Sequence, residues 1–234
     1  MRFAFVAAVV GIAATSLLAH DPITTKITWD GEIKRLVEAR CVSCHSAGGR
    51  APMALTTYEE ARPWARAIRE EVLTRRMPKW HIVRGYGDFN NDPSLSPFEV
   101  ALFVAWADGG APKILPAKSG AARAPIAPPA LRSGDVHRDT TLRSVEVPCS
   151  ARSFPLGRLV ALTPVLRKGA DLRVTVTAAD GTMDPLLWLR DFDPAFAETY
   201  WLRKPVRVTR ATRVAMDGEA PCSVTALLAT QTAR

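Results

Sequence analysis

The sequence predicts a two-domain α plus β protein, in which an all-α domain is followed by an antiparallel β-sandwich domain. Apolar residues recur at helical spacing up to residue 111, and at the two-residue spacing of strands beyond residue 135. A proline-rich stretch without either period separates these patterns. With 47% hydrophobic residues in 234, each domain has enough apolar side chains for a core of its own. We expect domain boundaries at 20–111, 112–134 for a Pro/Ala-rich linker, and 135–234.

The N-terminus has the pattern of a secretory signal peptide. Arg2 precedes an apolar run over Phe3–Ala14, and Ala19 is a small residue suited to cleavage. Residues 1–19 are therefore predicted to direct export, which places the protein in the periplasm. An uncleaved N-terminal anchor stays open as an alternative, and it is the sole contact with a membrane that the sequence suggests.

Helix-start signals are strong in the first domain. Asp30 is placed to cap a first helix, and the pairs Thr57/Glu60 and Ser96/Glu99 have the capping-box spacing. Helices are therefore expected to begin after Asp30, Thr57 and Ser96, and Pro63 is expected to start a fresh helix at its first position.

The second domain has the pattern of short strands. Val-, Leu- and Thr-rich runs alternate with turn residues such as Asp180-Gly181, which is typical of a β-sandwich. The predicted strands are Leu142–Val147, Leu172–Thr177, Leu186–Leu189, Val206–Val208, Thr212–Met216 and Val224–Leu228.

Directly after the first predicted helix comes Cys41-Val42-Ser43-Cys44-His45. Two thiols with this spacing and an adjacent imidazole are the pattern that attaches a haem covalently and ligates its iron. A zinc site would need a second pair of soft ligands nearby, which the sequence lacks. A thioredoxin-like redox motif would need a βαβ context, which is also absent from the sequence. We therefore predict one haem c bound through Cys41 and Cys44, with His45 as the proximal iron ligand.

The distal iron ligand has three candidates. Met77 follows an amphipathic helix and precedes Pro78, at a bend that can turn its thioether inward. His81 and Met53 are the alternatives, although Met53 is close in sequence to His45 for a residue on the opposite haem face. Met77 is favoured because His/Met ligation is one of the established arrangements, while packing in the core is its other possible role.

The two remaining cysteines, Cys149 and Cys222, are predicted to form a disulfide in the oxidising periplasm, with two free buried thiols as the alternative. Copper is not expected in the second domain, because His137 is its single histidine and such a site needs several ligands. His20, which cleavage would leave at the N-terminus, is not expected to chelate copper either.

The net charge of +8 is concentrated in the C-terminal half, where residues 117–234 contain 17 Lys/Arg against 11 Asp/Glu. These cations are scattered among apolar residues and no nucleic-acid-binding motif accompanies them, so nucleic acid is not expected as a partner. An acidic protein or an anionic surface is compatible with this charge.

Besides the CxxCH motif, the first domain contains Ala51-Pro52-Met53 followed by Thr57-Tyr58-Glu59-Glu60-Ala61, then Met77-Pro78-Lys79-Trp80 and the run Trp106 to Pro112. In these motifs residues 20–112 resemble a family of bacterial exported monohaem cytochrome c domains of class I type. This resemblance implies that Met77 is the distal ligand, although Lys79 stands where a second proline is usual. The second domain contains Asp180-Gly181 followed by Leu186-Leu187, then Arg190-Asp191-Phe192-Asp193 and Tyr200-Trp201-Leu202 with Pro205. In these residues the segment 164–217 resembles, more distantly, the C-terminal β-sandwich of copper type II ascorbate-dependent monooxygenase-like proteins.

We therefore expect a periplasmic c-type cytochrome that transfers single electrons between a donor and an acceptor among the periplasmic redox proteins. Two alternatives stay open: a haem-containing subunit or domain of an oxidoreductase, peroxidase-like or monooxygenase-associated, and a haem-bearing binding module. The sequence offers no nucleophile or catalytic base, so an electron carrier is expected rather than an enzyme.

Overall fold

The structure is a computed structural model that describes residues 25–114 and 141–229. The predicted signal peptide at 1–19 and most of the predicted linker at 112–134 lie outside these ranges, as do His20 and His137.

The helices are short and lie in the first part of the chain. A π-helical turn, Trp29–Ile33, continues into α1, and a 3-10 turn, Arg62–Trp64, joins α2 to α3. The α-helices are α1 Lys34–Arg40, α2 Tyr58–Ala61, α3 Ala65–Leu73 and α4 Pro97–Asp108.

Two of the three predicted helix caps are confirmed. Thr57 and Ser96 each accept a hydrogen bond from the backbone N–H three residues on, within complete capping boxes. Asp30 does not cap the first helix. Thr28 does, because its Oγ1 accepts from the Gly31 N–H at 3.0 Å.

The helices share a small core around two tryptophans. Trp29 and Trp106 are 3% and 0% exposed with ring centroids 6.0 Å apart. Trp106 Nε1 donates to the Pro112 carbonyl at 3.1 Å, which satisfies its polar atom inside the core. Arg40 on α1 forms a buried ion pair with Glu99 on α4, at 3.1 Å between Nη2 and Oε1. These contacts fix α1, which leads into Cys41, against α4.

Within 141–229, the structure describes seven antiparallel strands that form two sheets. The strand order is β1-β7-β2-β5 in one sheet and β4-β3-β6 in the other, and the buried residues of both sheets belong to one hydrophobic core. The strands are β1 Leu142–Pro148, β2 Gly157–Leu166, β3 Leu172–Thr177, β4 Met183–Leu189, β5 Tyr200–Val208, β6 Arg213–Gly218 and β7 Cys222–Ala229. A 3-10 turn, Pro194–Phe196, lies between β4 and β5.

The sequence did not predict β2, which is the longest strand. It lies between β7 and β5 and is buried over most of its length, so its apolar residues form a continuous run without the two-residue alternation. A register shift between Leu159 and Ala161, typical of a β-bulge, breaks the period further.

Residues 80–92, which we call the strap, leave the helical layer and pack on the sheets. Ile82 forms a β-bridge with Leu189 on β4, and Phe89 forms one with Leu202 on β5. Because β4 and β5 are edge strands of different sheets, the strap spans the gap between the two sheets on that side. It satisfies backbone groups that a sheet edge otherwise leaves unpaired.

The strap also contributes side chains to the core of the sheets. Phe89 is 3% exposed, and its ring contacts Trp80 and Tyr200 at centroid distances of 6.1 and 5.7 Å. Trp80 and Tyr200 are 4.9 Å apart in an edge-to-face arrangement. These aromatic contacts link the segment after Met77 to the sheets.

The predicted fold class, an all-α domain followed by a β-sandwich, is wrong. The described residues form mainly antiparallel β-structure with a few short helices, and no separate all-α domain is seen among them. The capping boxes predicted at Thr57 and Ser96 are present, but long irregular segments separate the helices. One of these segments is the strap, which packs into the core of the sheets.

Candidate functional site

The motif Cys41 to His45 forms a compact turn at the end of α1. The N–H of Cys41 still donates to the Val37 carbonyl at 2.8 Å, which continues the helix by one residue. The N–H groups of Cys44 and His45 both donate to the Cys41 carbonyl, at 3.0 and 2.8 Å. Both cysteines and the histidine are therefore held within one turn of chain, because the helix dictates where the turn begins.

The hydrogen bond of His45 fixes its tautomer. Its Nδ1 lies 3.1 Å from the Met53 carbonyl oxygen, and since a carbonyl can only accept, Nδ1 carries the proton. Nε2 is then the ring nitrogen that has a free lone pair. Metal-binding histidines almost always donate their other N–H to such a carbonyl. The carbonyl of His45 in turn accepts from the Leu55 N–H at 2.9 Å, which anchors the segment that supplies Met53.

Cys41 and Cys44 are both free thiols and both half-buried. Burial, together with the neighbouring Cys44, raises the pKa of Cys41 to about 12. Cys41 is therefore a protonated thiol at neutral pH. The two thiols, the turn and the oriented imidazole fit the requirements of covalent haem attachment at this motif.

Arg50 connects this turn to the sheets. Its guanidinium forms an ion pair with Glu198, in the loop before β5, and its Nη2 lies 3.5 Å from the Cys44 sulfur. The hydrogen bond that Arg50 donates to the Glu198 carboxylate raises the pKa of Arg50 above its ordinary value. A fixed positive charge thus lies beside Cys44. The sequence contains no signal for this pair, because its members are far apart along the chain.

Met77 lies in the turn that follows α3. Its N–H donates to the Glu71 carbonyl at 3.2 Å, and its side chain is half-buried. No described hydrogen bond joins this turn to the turn around His45. Ligation of iron by Met77 therefore stays a prediction. Met53, an alternative distal ligand, contributes its backbone carbonyl to His45.

His81, the other alternative, is part of the strap. It is 7% exposed, its ring packs against Phe192, and its Nε2 accepts from the Asp193 N–H at 3.1 Å. Burial, and secondarily Lys79, lower its pKa despite the opposing charges of Asp193 and Asp191. The described contacts therefore give His81 a structural role as a neutral hydrogen-bond acceptor.

A cavity of about 460 Å³ lies between the helices and the strap. It is lined by Arg40, which precedes Cys41, and by Trp80, Tyr86 and Phe98. Cys41, Cys44, His45 and Met77 are not among its lining residues, so this cavity is distinct from the motif at 41–45.

Cys149 and Cys222 form a disulfide, with their Cα atoms 5.4 Å apart. It joins the end of β1 to the start of β7, where the Cys149 N–H donates to the Cys222 carbonyl at 2.9 Å. A disulfide is what an oxidising compartment permits. Of the helices that the structure describes, none is long and apolar enough to cross a membrane.

The prediction of a metal-binding centre needs a correction. Within residues 25–114 and 141–229, no group of three or more His, Cys, Asp or Glu side chains could hold a metal ion. No ligand cluster of that kind is therefore preformed in this part of the chain, and the two thiols and the imidazole of the motif do not make one.

The chain matches no family model, no curated protein and no solved structure. Among the residues that the structure describes, the mainly β architecture also lacks the all-α domain that a class I cytochrome c requires. The resemblance to exported class I cytochromes c, and the more distant one to copper monooxygenase-like sandwiches, are therefore not upheld. The motif at 41–45 has to be interpreted from its own geometry.

Proposed function

We propose that the chain binds one haem c covalently through Cys41 and Cys44, with His45 as the proximal ligand, and acts as a carrier of single electrons outside the cytoplasm. The observation that carries this proposal is the hydrogen bond from His45 Nδ1 to the Met53 carbonyl at 3.1 Å. It leaves Nε2 free, on the residue that directly follows two free thiols.

A bound haem would supply an iron that takes up or releases one electron. The chain would then have to provide two thiols and ligands for the iron, which explains why no larger ligand cluster is needed. Cys41 and Cys44 would hold the group, His45 would ligate the iron through Nε2 as the proximal ligand, and Met77 would be the distal ligand. Arg50, held by its ion pair with Glu198, would lie beside the Cys44 attachment point.

The proposed partners are periplasmic redox proteins that donate and accept the electron. Export is supported by the N-terminal pattern and by the disulfide between Cys149 and Cys222. The described residues offer no group poised to act on a substrate at the motif, so a carrier is favoured over an enzyme.

The first test is the mass of the denatured full chain, produced in a host with working cytochrome maturation machinery. The wild-type mass should exceed that of the polypeptide by one haem. Cys41→Ala and Cys44→Ala should each prevent attachment by two thioethers. The matched control is the double variant Cys149→Ser/Cys222→Ser, which removes the other two cysteines and should retain the haem. A haem-free wild-type mass would refute the proposal.

The second test addresses the distal ligand. Met77→Ala should keep the haem attached but shift its absorption spectrum toward high spin and let carbon monoxide bind the reduced form. Met53→Ala is the control, because the backbone carbonyl of Met53, and not its side chain, holds His45. His81→Ala should leave the spectrum unchanged. If it changes the spectrum while Met77→Ala does not, the assignment of Met77 is wrong.

A further inference from the structure

The strap covers one side of the two sheets, and no described segment pairs with the outer edges of the edge strands on the other side. The strap bonds to the edge strands β4 and β5, whereas the edge strands on the opposite side are β1 and β6. The described strand pairings of β6 are all with β3, so its outer edge has backbone groups available to a further strand. A groove of about 810 Å³ runs between β6 and the segment 149–156 that follows β1.

This groove, which we call the arginine groove, is strongly cationic. Arg152, Arg210 and Arg213 line it and are exposed, and none of the three forms an ion pair with another described residue. No Asp or Glu is among the lining residues. Three like charges with no counter-ion in the described part of the chain attract an anionic group and repel a cationic one.

The floor of the arginine groove is partly apolar. Val214 and Met216 on β6 are half-buried, alternate with exposed neighbours, and line the groove together with Phe154 and Leu156. A strand that pairs with β6 would place every second side chain over this floor. The groove therefore fits an extended segment in which apolar and acidic residues alternate.

We infer that the arginine groove binds an extended acidic segment of a partner protein, which adds as a strand to β6. Main-chain hydrogen bonds to the free edge would give affinity, and the three arginines would select for carboxylates. The chain's own segment 115–140 does not suit the groove, because it contains four Lys/Arg against two Asp/Glu and has the same sign of charge. This site is independent of the haem motif, and its test does not depend on the proposed electron transfer.

The test uses the full chain and a fluorescently labelled peptide in which Glu alternates with Val, with a Gln-for-Glu peptide as its control. Fluorescence anisotropy should show binding of the Glu peptide, weakened by added salt, and much weaker binding of the Gln peptide. Hydrogen exchange should show that amides within Arg213–Gly218 gain protection when the Glu peptide is bound. The variant Arg152→Gln/Arg210→Gln/Arg213→Gln should weaken binding by roughly tenfold or more.

The matched control is the variant Arg158→Gln/Lys204→Gln/Arg207→Gln. It removes the same charge from exposed positions on β2 and β5 that are not among the lining residues of the groove, and should change the affinity by less than about threefold. Equal weakening by the two variants, or binding without protection of β6, would overturn the inference. A single-stranded oligonucleotide serves as a second probe. If it protects the amides of β6, and if the three arginine substitutions weaken its binding as much as they weaken peptide binding, the groove binds polyanions in general and the inference is overturned.

Discussion

Truncation of Phe89 to alanine tests how far the stability of the sheets depends on the strap. The ring of Phe89 is 3% exposed and contacts Trp80 and Tyr200, and its backbone bridges to Leu202 on β5. Removing a buried phenylalanine ring costs about 3 to 5 kcal/mol, through lost burial and the cavity left behind. Whole domains are stable by about 5 to 15 kcal/mol, so this loss is a large share of the total.

The assay is urea unfolding followed by circular dichroism, with the free energy of unfolding extrapolated to water. Phe98→Ala is the matched control, because Phe98 is 53% exposed and its truncation should cost less than about 1 kcal/mol. If Phe89→Ala costs no more than Phe98→Ala, the strap does not pack in the core of the sheets, and the reasoning fails.

Three further variants test buried polar groups and the disulfide. Glu99→Gln should destabilise the fold by about 3 kcal/mol, because it leaves the buried Arg40 without its counter-charge. The double variant Cys149→Ser/Cys222→Ser should cost about 4 kcal/mol on the chain-entropy estimate, since the two cysteines are 73 residues apart. Burial lowers the pKa of His81 in the folded protein, so the unfolded chain binds a proton at this histidine more readily. The contribution of neutral His81 to stability is therefore full above about pH 6.5 and declines as the pH falls below that value. His81→Gln should remove this part of the pH dependence.

Each of these predictions has a control or a result that contradicts it. Glu38→Gln breaks an exposed ion pair with Lys34 and should cost less than about 0.5 kcal/mol in the same urea assay. If the cysteine double variant is as stable as the oxidised wild type, the disulfide contributes nothing. For His81, the free energy of unfolding of wild type and of His81→Gln is measured at several pH values between neutral and pH 5. Identical pH profiles of wild type and His81→Gln would show that the imidazole does not titrate on unfolding.

The sequence alone determined the features that depend on neighbouring residues. The capping boxes at Thr57 and Ser96 follow from side chains that bond backbone groups three residues away. The motif at Cys41 to His45 is likewise local, since one helical turn sets the positions of the thiols and the imidazole. Short strands with alternating apolar residues, such as Leu172–Thr177, were visible for the same reason.

The tertiary structure decided what depends on distant residues. The strap has no local period that marks it as part of the sheets, and its assignment requires its bridges to β4 and β5. The ion pairs Arg40–Glu99 and Arg50–Glu198 join segments far apart in the chain, so no spacing rule predicts them. An all-α domain was expected because helix signals are local, whereas the burial of the intervening segments against the sheets is a long-range packing effect that propensity does not encode.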